Sequence, residues 1–200
     1  MTTKIVICPG CHTKISCEGE PGQKLKVNCP NCKKEGNIVF SSGLKELDFY
    51  PLNEPYAYAK VLKNVDTLEK YYKVIEPNLL EDEKKALNFI WETLMKSLTI
   101  RLDELESKKV DVYLTEQVEQ IISEYEINID EVAKKKILYY IKRESLCFGK
   151  IDPLMRDPNI EDISCDGADV SIFLYHRKYG SVRSNIKFKN EEELSYFVVR

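Results

Sequence analysis

Four cysteines near the start of the chain have the spacing of metal ligands. Cys8 and Cys11 form a C-P-G-C pair, Cys29 and Cys32 form a C-P-N-C pair, and seventeen residues separate the two pairs. In each pair a Pro-Gly or Pro-Asn dipeptide makes a tight turn, so both thiolates point into one concavity. Two such knuckles together offer the tetrahedral four-thiolate shell that holds zinc. Once closed, that shell leaves no open position for a substrate or an activated water, so the chemistry it implies is structural. Redox dithiols are the competing reading of C-x-x-C, but those open a helix within a βαβ unit, and nothing helical follows Cys11 or Cys32. His12 adjoins Cys11, yet four cysteines already complete the shell. Cys17, Cys147 and Cys165 read as small buried hydrophobes or inert surface thiols.

The elements that would position these ligands fall in residues 1–43, a zinc ribbon too short to fold on buried apolar surface alone, so metal coordination supplies what its core lacks. The ribbon carries six lysines against three glutamates. A zinc held by four thiolates adds a net negative charge that brings the module near neutrality. Phe40 is its one aromatic residue, so there is no stacking platform. A structural or protein-docking ribbon is expected, and a nucleic-acid partner is not. The whole chain points the same way: its 200 residues carry a net charge of −3, with 43% hydrophobic residues to form a core. No membrane-spanning run or signal-peptide core is visible, so a cytoplasmic address is expected, with membrane contact only through a partner.

Ser41-Ser42-Gly43 reads as a linker, and residues 44–148 as a β-hairpin followed by helices. Tyr56 to Leu62 and Glu69 to Ile75 are β-rich runs on either side of Asn64-Val65-Asp66-Thr67. Ala57, Ala59 and Lys60 would also suit a helix. The tyrosines at 56, 58, 71 and 72 read as cross-strand packing. After Glu76-Pro77, Glu81, Asp82 and Glu83 precede an apolar stripe of Leu87, Ile90, Trp91, Leu94, Met95, Leu98, Leu102 and Leu105, which predicts one long helix. A second helix is predicted from about Val112 to Tyr125. A third begins after Asp130 as N-cap, and Gly149 ends it. Three amphipathic helices with short connections predict a bundle, and the charge runs at Glu81–Lys85 and Lys134–Lys136 read as solvated faces.

Residues 149–200 are read as a partial α+β domain. Asp152 is positioned to cap a short helix with Pro153 at its first turn, and Asp157-Pro158 stops it. Ile160–Cys165, Ile172–His176 and Val182–Phe188 then predict a three-stranded antiparallel meander with turns at Asp166-Gly167 and Tyr179-Gly180. Asn190 and Glu193 form a capping box ahead of Leu194, Phe197 and Val198, so the chain is expected to stop inside a fold.

Gly149, Asp152-Pro153-Leu154, Asp157-Pro158, Ile160, Asp162-Ile163, Asp166-Gly167 and the run Tyr175–Gly180 resemble the N-terminal domain of the type II/type IV secretion and pilus-assembly ATPases. The His176-Arg177-Lys178-Tyr179-Gly180 form is closest to the archaeal branch, which drives pili and archaella. The resemblance extends upstream through Tyr50-Pro51 and Glu76-Pro77, covering about residues 46–200. It implies a hexameric ATP hydrolase in which this region lies toward a membrane-embedded platform protein. It also implies a motor domain, of the same or a neighbouring subunit, that brings ATP and magnesium. By position it makes Arg177 and Arg183 candidates to approach the nucleotide phosphates. No Walker A motif is present: Gly149-Lys150 is followed by Ile151 and preceded by Glu144 where the first glycine is required. The expected α+β chain is therefore a ribbon, a hairpin with a three-helix bundle, and the start of the N-terminal α/β domain, inactive alone. The alternative is a self-contained zinc-ribbon adaptor that recruits a protein or nucleic acid, which leaves the 149–188 run unexplained.

Overall fold

The computed structural model describes residues 2–20, 23–40, 43–65, 67–97 and 107–199. They belong to two compact units, one of residues 1–77 with 151–200 and one of residues 78–150.

The first unit opens with two antiparallel hairpins, β1 (Thr2–Ile7) with β2 (Lys14–Gly19) and β3 (Lys24–Asn28) with β4 (Glu35–Val39). Each hairpin turns through one cysteine pair. Cys17, Ile38 and Phe40 form a small core, joined by Val6, Ile15, Leu25 and Val27. The Phe40 ring lies on the Gly19 backbone, where a Cβ would come within 2.5 Å of it. Cys17 is thus a buried hydrophobe, and Cys165 is exposed.

Next comes a six-stranded sheet in the order β5 (Leu44–Asn53), β6 (Ala57–Asn64), β7 (Lys70–Ile75), β10 (Gly180–Lys187), β9 (Ser171–His176) and β8 (Ile160–Ser164). The β6–β7 hairpin and the β8–β10 meander form as the sequence predicts. They are joined, however, by a parallel β7–β10 pairing at Arg183–Tyr71 and Ser184–Tyr72, so the sheet is mixed and crosses the boundary drawn at residue 148. A parallel pair needs a long crossover, and the helical unit with β8 and β9 supplies it. The Asn185 amide extends this short pairing by bonding both the N–H (2.7 Å) and the C=O (3.0 Å) of Val74. Strand β5 was not predicted. It is an edge strand with register shifts at Glu46/Asp48 and Pro51/Asn53, which is where a proline can be tolerated and where alternation is lost. Of the expected linker, Ser41 and Ser42 lie outside the described residues.

Ala59, Val61, Tyr72, Val74, Ile172, Leu174, Val182 and Ile186 bury one sheet face together with Leu154 of α4 (Asp152–Met155). Leu194 and Phe197 of α5 (Glu191–Val199) pack against the same core. Asn190 caps α5 as expected, accepting from the Glu193 N–H at 2.9 Å, while Glu193 accepts from the Lys189 N–H. Asp152 does not cap α4. It is its first residue, buried, and accepts from Arg156 Nε one turn on at 2.6 Å.

The second unit is a three-helix bundle of α1 (Glu81–Ser97), α2 (Ser107–Glu124) and α3 (Glu131–Leu146) around Ile90, Leu94, Leu114, Val118, Ile121, Ile137 and Ile141. Leu98, Leu102 and Leu105 lie outside the described residues. Helix α2 starts at Ser107, ahead of the predicted Val112, which is exposed. Asp130 caps α3 through the Ala133 N–H at 2.7 Å. The charge runs Glu81–Lys85 and Lys134–Lys136, expected to be solvated, each contribute one residue to an internal ion pair: Lys136 is 2% exposed and bonds Glu83 at 2.8 and 3.0 Å.

Candidate metal centre

The two knuckles are built alike. In the first, the Cys8 N–H donates to Thr13 O (3.0 Å) and the His12 N–H to Cys8 O (2.9 Å). In the second, the Cys29 N–H donates to Lys34 O (2.9 Å) and the Lys33 N–H to Cys29 O (3.0 Å). The residue after each second cysteine is left-handed, His12 at φ 59° and Lys33 at φ 61°, which turns the chain out of the knuckle and back into a strand. Gly10 donates its N–H to Cys8 Sγ at 3.4 Å. A Cβ at Gly10 would come 2.7 Å from Cδ of the flexible Lys34 side chain and 3.3 Å from Cys32 Sγ, so the second knuckle packs closely against the backbone of the first.

The four Sγ atoms all lie within 4.8 Å of one another. Cys8 faces Cys32 and Cys11 faces Cys29, each at 3.4 Å, and all four thiols are free. Zinc–sulfur bonds of about 2.3 Å in a tetrahedron require sulfur separations of about 3.8 Å, so the cluster could hold an ion such as zinc. Burial pushes the Cys8 thiol up to about 12. Burial also raises Cys11, but hydrogen bonds from Thr13 and the neighbouring thiols outweigh it and bring Cys11 down to about 6. Cys29 is lowered, chiefly by the Cys32 N–H. A dication bound by these four sulfurs would displace the thiol protons. His12 is outside the donor set, its ring edge-on to Tyr56 at 5.7 Å.

The two candidate arginines sit apart along the meander. Arg177 is in the turn after β9, with its Nε on Glu161 at 3.0 Å, and both side chains are exposed. Arg183 is on the exposed side of β10, opposite Phe173, whose ring lies 5.8 Å from its guanidinium. Three register positions separate Arg183 from the Gly180–His176 pair that closes the turn, about 10 Å of strand.

A polar cluster unforeseen in the sequence lies in the same sheet. Buried Asp157 accepts from Tyr50 Oη (2.5 Å), Tyr72 Oη (2.6 Å), the Asn159 N–H (2.8 Å) and Asn159 Nδ2 (2.9 Å). His176 Nδ1 accepts from the Lys178 N–H at 3.1 Å, which leaves its proton on Nε2, facing the Tyr50 oxygen at 3.1 Å. Burial, together with the carboxylate, holds both tyrosines above their ordinary pKa, and burial holds His176 below its own. Through these hydrogen bonds the cluster ties β5, β7 and β9 to the α4–β8 loop.

Among the described residues no helix is long and apolar enough to cross a membrane. Two uncharacterized proteins of Methanocaldococcus jannaschii are similar to the chain. MJ1288 is 33% identical over 158 residues, 78% of this chain and 62% of the relative. MJ0900 is 28% identical over 184 residues, 80% of this chain and 33% of the relative. The chain thus spans less than two thirds of the length of either. The family model described as PilB3-like, N-terminal, matches residues 22–78, from the second ribbon hairpin through β7, and this match supports an N-terminal region of the pilus-assembly or secretion ATPase type.

Proposed function

We propose that this chain is the N-terminal regulatory and platform-docking part of a hexameric secretion or pilus-assembly ATPase of the archaeal type, with one zinc ion holding its ribbon. The match of residues 22–78 to the PilB3-like N-terminal family carries this reading. Cys8, Cys11, Cys29 and Cys32 would hold the metal, and a closed shell of four thiolates supplies rigidity and no catalysis. The rest of the site is the chain's own work: the ribbon is fixed to the sheet by Lys60, which is 5% exposed and donates to Ile5 O at 2.9 Å while paired with Glu46 at 2.7 Å. Arg177 and Arg183, both exposed, are proposed to meet phosphates that a motor domain presents, where a guanidinium offsets developing charge.

The experiment is a binding assay of the zinc-loaded chain against a detergent-solubilised platform protein and, separately, against a motor domain of the same enzyme class. A saturable complex with the platform protein is expected, and absence of binding to both overturns the proposal. For the arginines, joint Arg177→Ala and Arg183→Ala substitution in a complete enzyme should lower the ATPase rate. An unchanged rate removes them from the nucleotide site.

A further inference from the structure

Between the ribbon and the six-stranded sheet lies a cavity of about 950 Å³, at the upper end of the roughly 300–1,000 Å³ range of small-molecule sites. Ile5 and Ile7 of β1, Leu62 of β6 and Ile75 of β7 give it an aliphatic wall. Phe40, the one aromatic among the described lining residues, is committed to the Gly19 backbone, so the chamber has no ring face on which a nucleobase would stack.

The polar part of the lining is unbalanced. Lys4, Lys45, Lys60 and Lys73 contribute four positive charges against Glu46 and Glu76. Glu46 is already paired with buried Lys60, and neither Lys4 nor Lys73 forms an ion pair among the described residues. Lys4 donates to Val39 O at 2.7 Å, which anchors its ammonium at the cavity. Burial, and then the nearby ammonium groups of Lys60 and Lys73, hold Lys4 below the ordinary lysine pKa, so these like charges are close enough to repel one another. An anion brought among them relieves that repulsion, and an aliphatic tail covers the wall beside them.

We propose that this cavity binds an aliphatic anion, with an unbranched chain along Ile5, Leu62 and Ile75 and a carboxylate or phosphate head at Lys4 and Lys73. The site is separate from the cysteine cluster and from the two arginines, and it does not depend on the ATPase reading. Both a free fatty acid and a lipid phosphate monoester carry this chemistry.

The test uses the full zinc-loaded chain, titrated below micelle formation with dodecanoate, dodecyl phosphate, dodecyl maltoside and inorganic phosphate. NMR signals of the Ile5, Leu62 and Ile75 methyl groups report occupancy. Saturable shifts with at least one anionic amphiphile are expected, and the tighter of the two identifies the head group. Lys73→Ala, at an exposed strand position where folding is not at risk, should weaken that binding at least tenfold, and so should Lys4→Met. The proposal is overturned by equal affinity for dodecyl maltoside, by equal affinity for inorganic phosphate alone, by undiminished affinity in Lys73→Ala, or by no saturable shift with either anion.

Discussion

If the Cys8, Cys11, Cys29 and Cys32 cluster holds zinc as proposed, removing one sulfur would leave the dication with an open shell, and the ribbon's small core around Cys17, Ile38 and Phe40 would not compensate for the lost coordination. Cys29→Ser should therefore reduce bound zinc from one ion per chain to none in elemental analysis. It should also unfold the ribbon while the fluorescence of Trp91, which packs in the helical bundle, stays unchanged. A full complement of zinc in that variant would dismiss the cluster as the site. His176 gives a pH prediction of definite sign. Its native pKa lies below its ordinary 6.5 because burial outweighs the pull of Asp157 and Asp48, with Lys178 adding to the lowering. Above pH 6.5 it is neutral in both states and contributes no pH dependence. As pH falls below that value the unfolded chain takes up a proton that the native ring resists, so stability declines until the native pKa is passed. Protection of the β9 amides, taken as the intrinsic exchange rate at each pH divided by the observed one, should fall from pH 7 to pH 5, and His176→Gln should flatten that dependence; identical profiles would show that the ring does not govern it. The cysteine site was legible because its ligands come in local pairs with turn residues between them. The Asp157 cluster was not, because Tyr50, Tyr72 and Asp157 are brought together across 107 and 85 residues, and nothing in Asp157-Pro158 marks it as more than a helix stop.

Periodicity located most elements, and it failed where an element's solvent face is not where composition places it. The β7 and β8–β10 runs carry β-branched and aromatic residues bounded by turn residues, so they could be read directly, whereas Ala57, Ala59 and Lys60 left β6 open to a helical reading. Edge strand β5 has Lys45, Glu46, Asp48 and Pro51 in its ten residues, which cancels alternation. Helix charges misled in the other direction: Lys136 lies in a run of three lysines, yet it faces α1, with 3% of its side chain exposed against 12% for Glu83. A pair so enclosed predicts an asymmetric mutant cycle. Lys136→Met alone strands the Glu83 carboxylate and should destabilise the bundle by about 3–5 kcal/mol, whereas Lys136→Met with Glu83→Leu should recover most of that loss. Urea melts followed by Trp91 measure both, and a double variant no more stable than the single one contradicts the argument. Within residues 149–188, Asp152, Leu154, Asp157 and His176 are all buried, so these four positions are part of the packing of the sheet unit.

At the scale of the molecule, the described residues form no phosphate cradle at Gly149-Lys150, where the chain leaves α3 and makes a 3-10 turn instead of the strand-loop-helix of a P-loop. Magnesium-ATP should therefore leave the melting of this chain unchanged. Ligand at a hundredfold excess over its dissociation constant would add about 2.7 kcal/mol, so a clear rise in melting temperature would reveal a nucleotide site in residues 1–200. The two units also differ in how they are built. The first combines segments from both ends of the sequence, since β7 ends just before Pro77 and the sheet resumes only after Ile151, while the second is one continuous stretch, 78–150. Its core residues, from Ala86 to Ile141, are all internal to that stretch, and so is its buried Lys136–Glu83 pair. A continuous segment with its own core and caps has what independent folding requires. Residues 78–150 expressed alone should be helical and should melt cooperatively, with the Trp91 transition falling where it falls in the whole chain. A Cys29→Ser chain should show that same transition, because no cysteine ligand lies within the segment. A non-cooperative melt of 78–150, with Trp91 already solvent-exposed in buffer, would mean that the bundle depends on the sheet unit for its stability and that the chain folds as one cooperative body.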